Sequence, residues 1–151
     1  MAIGECLNMA DRNEGGCVCG AVRYVAQGAP VRVTICHCTW CQRRTGSAFG
    51  AEAVFKEDHV TIAGDTLEKY RHVSDESGRW LDQDFCARCG TNIGIRLEAV
   101  PGVRTLAAGT FDDPSWLDRA SHSFRYVYLR SAQDWSELPD GVEQYEIHFR
   151  T

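Results

Sequence analysis

The sequence predicts a mainly β protein, with short antiparallel strands in a sandwich or barrel-like arrangement and little helix. Three observations carry this expectation. Apolar and polar residues alternate in Val31-Arg32-Val33-Thr34-Ile35-Cys36, as in a half-buried strand. Similar short runs recur, separated by turn residues such as Gly28-Ala29-Pro30, Gly64-Asp65, Asp75-Glu76-Ser77-Gly78 and Pro101-Gly102. Helix signals are confined to two short stretches.

Taken in chain order, residues 1–14 read as a poorly ordered lead-in, and residues 15–151 as one domain without linker or repeat. Strands are expected at 21–26, 31–36, 48–55, 58–62, 67–72, 80–85, 93–98, 103–108 and 123–130. Residues 39–46 are expected to make one or two helical turns ending at Gly46. In Asp113-Pro114-Ser115-Trp116-Leu117-Asp118, a cap precedes a proline suited to the first helical position, so a short turn is expected.

The chain has 151 residues, a net charge of -5 and a pI near 5.5. This balance argues against a sequence-independent nucleic-acid binder, whose affinity comes from a basic footprint. The first twenty residues hold no apolar run or basic leader, so no signal peptide is expected. No stretch approaches the ~20 apolar residues of a membrane span. The protein is therefore expected in the cytoplasm, where disulfides are uncommon. Eight cysteines in such a chain call first for a metal.

Seven of them fall into three clusters: Cys17-x-Cys19, Cys36-x-Cys38-x-x-Cys41 and Cys86-x-x-Cys89. Cys86-Ala87-Arg88-Cys89-Gly90 has the spacing of a zinc knuckle, and the glycine after the second cysteine suits the positive φ such a curl needs. Cys17-Val18-Cys19 lies between Gly16 and Gly20, which let the chain bend both sulfurs toward one ion. Together the outer pairs offer four thiolates, a closed structural site; the alternative is buried, inert thiols. The inner group, in Cys36-His37-Cys38-Thr39-Trp40-Cys41-Gln42-Arg43-Arg44, offers three, the count of a zinc site with one open position. His37 is expected to point away from the cysteines on either side. Cys6 is the weaker candidate for a fourth ligand. Water or a substrate atom remains, and a substrate thiolate matches soft sulfur ligation best. The alternatives for the inner group are reduced core thiols or a Cys38-x-x-Cys41 redox pair, but the βαβ context of that motif is missing.

These residues resemble the glutathione-dependent formaldehyde-activating enzyme family, also called the centromere protein V/formaldehyde-activating family. The matching stretches are Gly15 to Tyr24, Cys36 to Phe49, Phe85 to Thr91, Ala108 to Pro114 and Trp135 to Gly141, in the same order. The resemblance implies a zinc-stapled, all-β fold of the β-tent type. It implies one structural zinc on Cys17, Cys19, Cys86 and Cys89, and a second on Cys36, Cys38 and Cys41 with its open position toward substrate. The implied reaction joins glutathione and formaldehyde to S-hydroxymethylglutathione, classed as a carbon–sulfur lyase by its reverse direction. This chain departs from the family pattern at Tyr126-Val127 and Ala132, where a His-Ile strand and a lysine are often found.

Catalysis is expected to act through Cys36, Cys38 and Cys41 by way of the metal. Arg43 and Arg44, just after the metal loop, are candidate grips for a substrate carboxylate, the alternative being a solvated face. No general acid stands out; His37 and His122 are candidates, the alternative for each being a structural histidine. The rival class is a non-enzymatic, zinc-stapled binding or chaperone-like module. An inner triad in a concave pocket would favour the enzyme.

Overall fold

The computed structural model describes residues 11–148, in three sheets with a single α-helix. In the first sheet, β1 (Arg12–Gly16) pairs antiparallel with β2 (Arg23–Gln27), which pairs antiparallel with β5 (Val60–Ala63). The second is built on β3 (Arg32–Cys36), flanked by β4 (Gly50–Lys56) and β10 (Phe124–Val127), with β9 (Val103–Ala107) outside β4 and β11 (Glu143–Gln144) outside β10. The third holds β6 (Leu67–Val73), β7 (Trp80–Cys86) and β8 (Asn92–Leu97) as an antiparallel meander. Helix α1 (Thr39–Thr45) links β3 to β4 and ends at Gly46 with left-handed φ 65°.

All three sheets feed one core. Tyr24 comes from the first, Phe55 and Leu106 from the second, Ile93 from the third, and Cys17 and Cys86 belong to the same buried cluster. Phe55, Ile93 and Leu106 are fully buried; each contributes about 1.5–3 kcal/mol by leaving water. The second and third sheets touch backbone to backbone at Gly94, where an added Cβ would lie 1.9 Å from the Thr105 carbonyl oxygen. Any side chain there would force β8 and β9 apart.

The nine expected strands, the helix and the Asp113-capped turn are all present, with shifts of a few residues at their ends. Four differences have physical causes. Strand β1 begins at Arg12, inside the expected lead-in, because β2 supplies it a full antiparallel register. β10 pairs parallel with both β3 and β11, so the second sheet is mixed rather than antiparallel. The strand expected over 123–130 stops at Val127, because Tyr128 adopts the left-handed region (φ 59°) and starts a 3-10 turn over Leu129–Ser131. The two-residue β11 is too short and polar to show a strand pattern. Cys6 lies outside the described residues.

Candidate metal centres

The outer pairs meet as the spacing predicts. The four sulfurs of Cys17, Cys19, Cys86 and Cys89 lie within 4.8 Å of one another. Four sulfurs placed tetrahedrally at 2.3 Å from one zinc would be about 3.8 Å apart. The Cys17–Cys19 and Cys19–Cys86 separations are 3.5 and 3.9 Å. Gly20 and Gly90, each just after the second cysteine of its pair, have φ of 78° and 76°, the left-handed curl the knuckle requires. The surroundings also suit thiolates. The Val22 amide donates to Cys17 Sγ at 3.2 Å, and the hydroxyls of Thr66 and Thr91 lie 3.2 and 3.1 Å from Cys86 and Cys89 Sγ. The Thr91 hydroxyl draws Cys89 down to about 5. These residues fit a four-coordinate zinc.

The inner triad is assembled from a strand end and a helix start. Cys36 closes β3, Cys38 is the N-cap of α1, and Cys41 lies in the helix's first turn. Cys38 Sγ accepts the Cys41 amide proton at 3.3 Å, so capping itself turns the two thiols toward each other. The three sulfurs lie within 4.8 Å of one another, a set that can hold a metal and, among the described residues, leaves a tetrahedral zinc one position short. Charge is not shared equally among them. Hydrogen bonds from the Cys36 and Cys41 thiols pull Cys38 down to about 3, and the contact with Cys38 is the largest influence raising Cys36. A divalent cation would let all three ionise.

Around the triad, Gln42 ties the loop to the C-terminal segment. Its amide donates to the carbonyls of His37 at 2.7 Å and Ser131 at 2.9 Å, and accepts from Gln133 at 2.8 Å. Trp40 stacks on His72 of β6, with ring centroids 5.4 Å apart. The structure separates the two candidate arginines. Arg43 is exposed on α1, with no ion pair among the described residues. Arg44 turns inward: its guanidinium is ion-paired with buried Glu52 on β4, and Nη2 lies 3.8 Å from Cys41 Sγ. Arg44 is thus a support for Cys41 rather than a grip for an incoming carboxylate.

His37 does point away from the neighbouring cysteines. It is 1% exposed and lies among Phe49 and Tyr126, and among the described residues neither ring nitrogen has a partner. His122 lies against Trp116, which packs on the core cluster of Cys17 and Cys86 rather than on the triad. A cleft of about 420 Å³ is lined by Ile35, His37, Phe49, Tyr126 and the 136–139 segment. Ile35 and its cross-strand partner Tyr126 share one face of the sheet and Cys36 takes the other, so this cleft backs onto the triad. Among the described residues, no cysteine of the triad lines it or the neighbouring cleft of about 530 Å³.

Three residues at this centre escaped the sequence reading: Gln42, Glu52 and Tyr128. Glu52 had a signal, being an acid inside the otherwise apolar run Ala51 to Phe55, where a buried partner is to be expected. Tyr128 had none, since its placement depends on a backbone turn no motif announces.

Compared with known proteins, residues 12–126 match the family model of the glutathione-dependent formaldehyde-activating enzyme. Among solved structures, a Rhodobacter sphaeroides protein shares the fold with a TM-score of 0.54, at 17% identity, over 72% of this chain and 93% of that one. No curated protein matches the sequence. Among the described residues, no helix is long and apolar enough to cross a membrane.

Proposed function

The chain belongs to the glutathione-dependent formaldehyde-activating enzyme family, and from that premise we propose that it is a zinc-dependent carbon–sulfur lyase-type enzyme of the cytoplasm. Its substrate is the glutathione–formaldehyde adduct S-hydroxymethylglutathione, or a related thiol and aldehyde. The observation that carries this reading is the difference between the two cysteine sets. The four-sulfur set is complete and joins the core, whereas the three-sulfur set is one ligand short among the described residues.

On this reading Cys17, Cys19, Cys86 and Cys89 hold a structural zinc, which staples the segment after β1 to the loop after β7. Cys36, Cys38 and Cys41 hold a second zinc, which would supply a lowered pKa to a thiol at its open position, making a nucleophile at neutral pH. In the forward direction the sulfur adds to the carbonyl carbon. One C–S bond forms, the carbonyl π pair moves to oxygen, and oxygen gains the proton the thiol gave up. Arg43 binds a carboxylate of glutathione from the exposed side of α1. Residues 15–151 act as one domain, which β1 joins from Arg12.

One observation favours the rival reading, a binding module without chemistry: among the described residues, no triad cysteine lines either of these two clefts. Exchange spectroscopy on glutathione and formaldehyde separates the two. Zinc-loaded protein that accelerates formation and breakdown of the adduct supports the enzyme. Protein that binds glutathione without accelerating exchange supports the module.

A further inference from the structure

We propose that the Tyr128 hydroxyl is the hydrogen-bond donor to the carbonyl oxygen of the substrate at the inner cysteines. The inference rests on the enzyme reading above and supplies the donor that neither histidine provides.

Placement comes first. Val127 is the cross-strand partner of Cys36, and its carbonyl accepts the His37 amide proton at 3.0 Å. Tyr128 is therefore the first residue past the strand end, beside the point where the chain runs from Cys36 into Cys38. It is fixed from both sides. Its own amide donates to the Ile147 carbonyl at 3.1 Å, and three residues on, the Ser131 carbonyl accepts from Gln42 of the metal loop at 2.9 Å.

Among the described residues Tyr128 is also the only non-glycine with positive φ, at 59°. The left-handed region is costly for a bulky side chain, and glycine would make the same turn without strain. The backbone therefore does not explain the tyrosine; the ring does.

The ring is half-buried, and burial, followed by the charges of Cys36 and Cys38, raises its pKa above the ordinary tyrosine value. Its backbone lies one residue past the cross-strand partner of Cys36, beside the metal loop. Arg130 lies over the ring at 5.8 Å, anchored by both Glu76 carboxylate oxygens at 3.0 Å. The phenol makes no hydrogen bond among the described residues, which leaves its O–H available. When sulfur adds to the carbonyl, negative charge grows on oxygen, and a fixed donor there lowers the barrier. The proton balance is unchanged, since the oxygen takes up one proton for the one the thiol released.

The test uses the full chain carrying its zinc, with glutathione and formaldehyde followed by exchange NMR, and with metal content and glutathione-induced melting shift measured in parallel. Tyr128→Phe should lose about 100-fold in turnover while keeping wild-type zinc content, melting shift and KM. Tyr128→Gly should lose as much turnover while melting no lower than Tyr128→Phe. Wild-type turnover in Tyr128→Phe overturns the inference alone. So does loss of zinc or of the glutathione shift, which would make the residue structural. A wild-type protein that gives no acceleration overturns the enzyme reading, and this inference with it.

Discussion

Arg44 and Glu52 form a buried ion pair directly behind Cys41, their side chains 2% and 4% exposed. The other Glu52 oxygen accepts from the Thr105 hydroxyl at 2.7 Å, and that hydroxyl accepts the Ile95 amide proton at 2.9 Å. The chain of contacts runs from a thiol of the inner triad, through α1 and β4, to the meeting of the second and third sheets. A guanidinium fixed 3.8 Å from Cys41 Sγ also places positive charge beside a thiolate ligand.

The first expectation follows from leaving one charge of this pair alone. Glu52→Ala should destabilise the protein by about 3–5 kcal/mol, because a buried guanidinium loses its counter-ion. Arg43→Ala, on the exposed face of the same helix, should change stability by no more than about 0.5 kcal/mol. Urea unfolding of both variants checks this. Equal stabilities would mean that the Arg44 guanidinium reaches water.

Truncating Arg44 should be read at the metal. Arg44→Met removes the charge beside Cys41 while keeping much of the side-chain volume. The Cys41 thiol then loses a cation that favours its ionised form, so zinc occupancy of the inner triad should fall more steeply as pH is lowered. The outer site, where among the described residues no guanidinium donates to a sulfur, should keep its metal over the same range. Competition with a zinc-sensitive dye at two pH values measures both. An unchanged inner occupancy would show that Arg44 acts on packing alone.

Much of this was legible in the sequence, and for local reasons. Period-two alternation is a property of single strands, so β3 showed itself in Val31 to Cys36 without any knowledge of its partners. The cysteine pairs with their glycines work the same way, as spacing and φ preference are set within five residues. What escaped depends on contacts distant in sequence. The parallel pairing of β10 with β3 joins residues about ninety positions apart, and nothing in Phe124 to Val127 marks its direction. Arg43 and Arg44 look identical in sequence, yet helical rotation sends one to water and the other to Glu52. A reading of adjacent residues cannot separate them without knowing which face of α1 meets β4.

Two zinc ions of unequal hold are expected per chain, and native mass spectrometry counts them. Under a chelator the inner ion should leave first with the fold intact, and the outer ion only with unfolding. Correspondingly, Cys89→Ser should damage folding and Cys41→Ser mainly function. Structural zinc contributes on the order of 10 kcal/mol in small zinc peptides, and the outer sulfurs Cys17 and Cys86 are part of the buried core. Thermal melts of the two variants decide it; a lower melting temperature for Cys41→Ser would reverse the roles assigned to the sites.

Glutathione should bind at the inner triad and raise the melting temperature. The reason is that the described residues offer this site three sulfurs, which leave a position that a substrate thiolate suits. At a concentration about 100 times its Kd, linkage adds about 2.7 kcal/mol of stability, and at about 2–4 °C per kcal/mol in a chain of this size the melt should rise by about 5–11 °C. S-methylglutathione, which cannot ionise at sulfur, should give little or no shift, and the effect should be lost in Cys41→Ser. Arg43→Ala should weaken glutathione more than it weakens an uncharged thiol such as 2-mercaptoethanol, because only glutathione brings carboxylates to the exposed face of α1. Arg44 is already occupied by Glu52, so any contribution from Arg44→Met should be the same for both thiols. Equal shifts from glutathione and its S-methyl form would show that sulfur is not the contact, and the activation chemistry would fall in favour of a binding module.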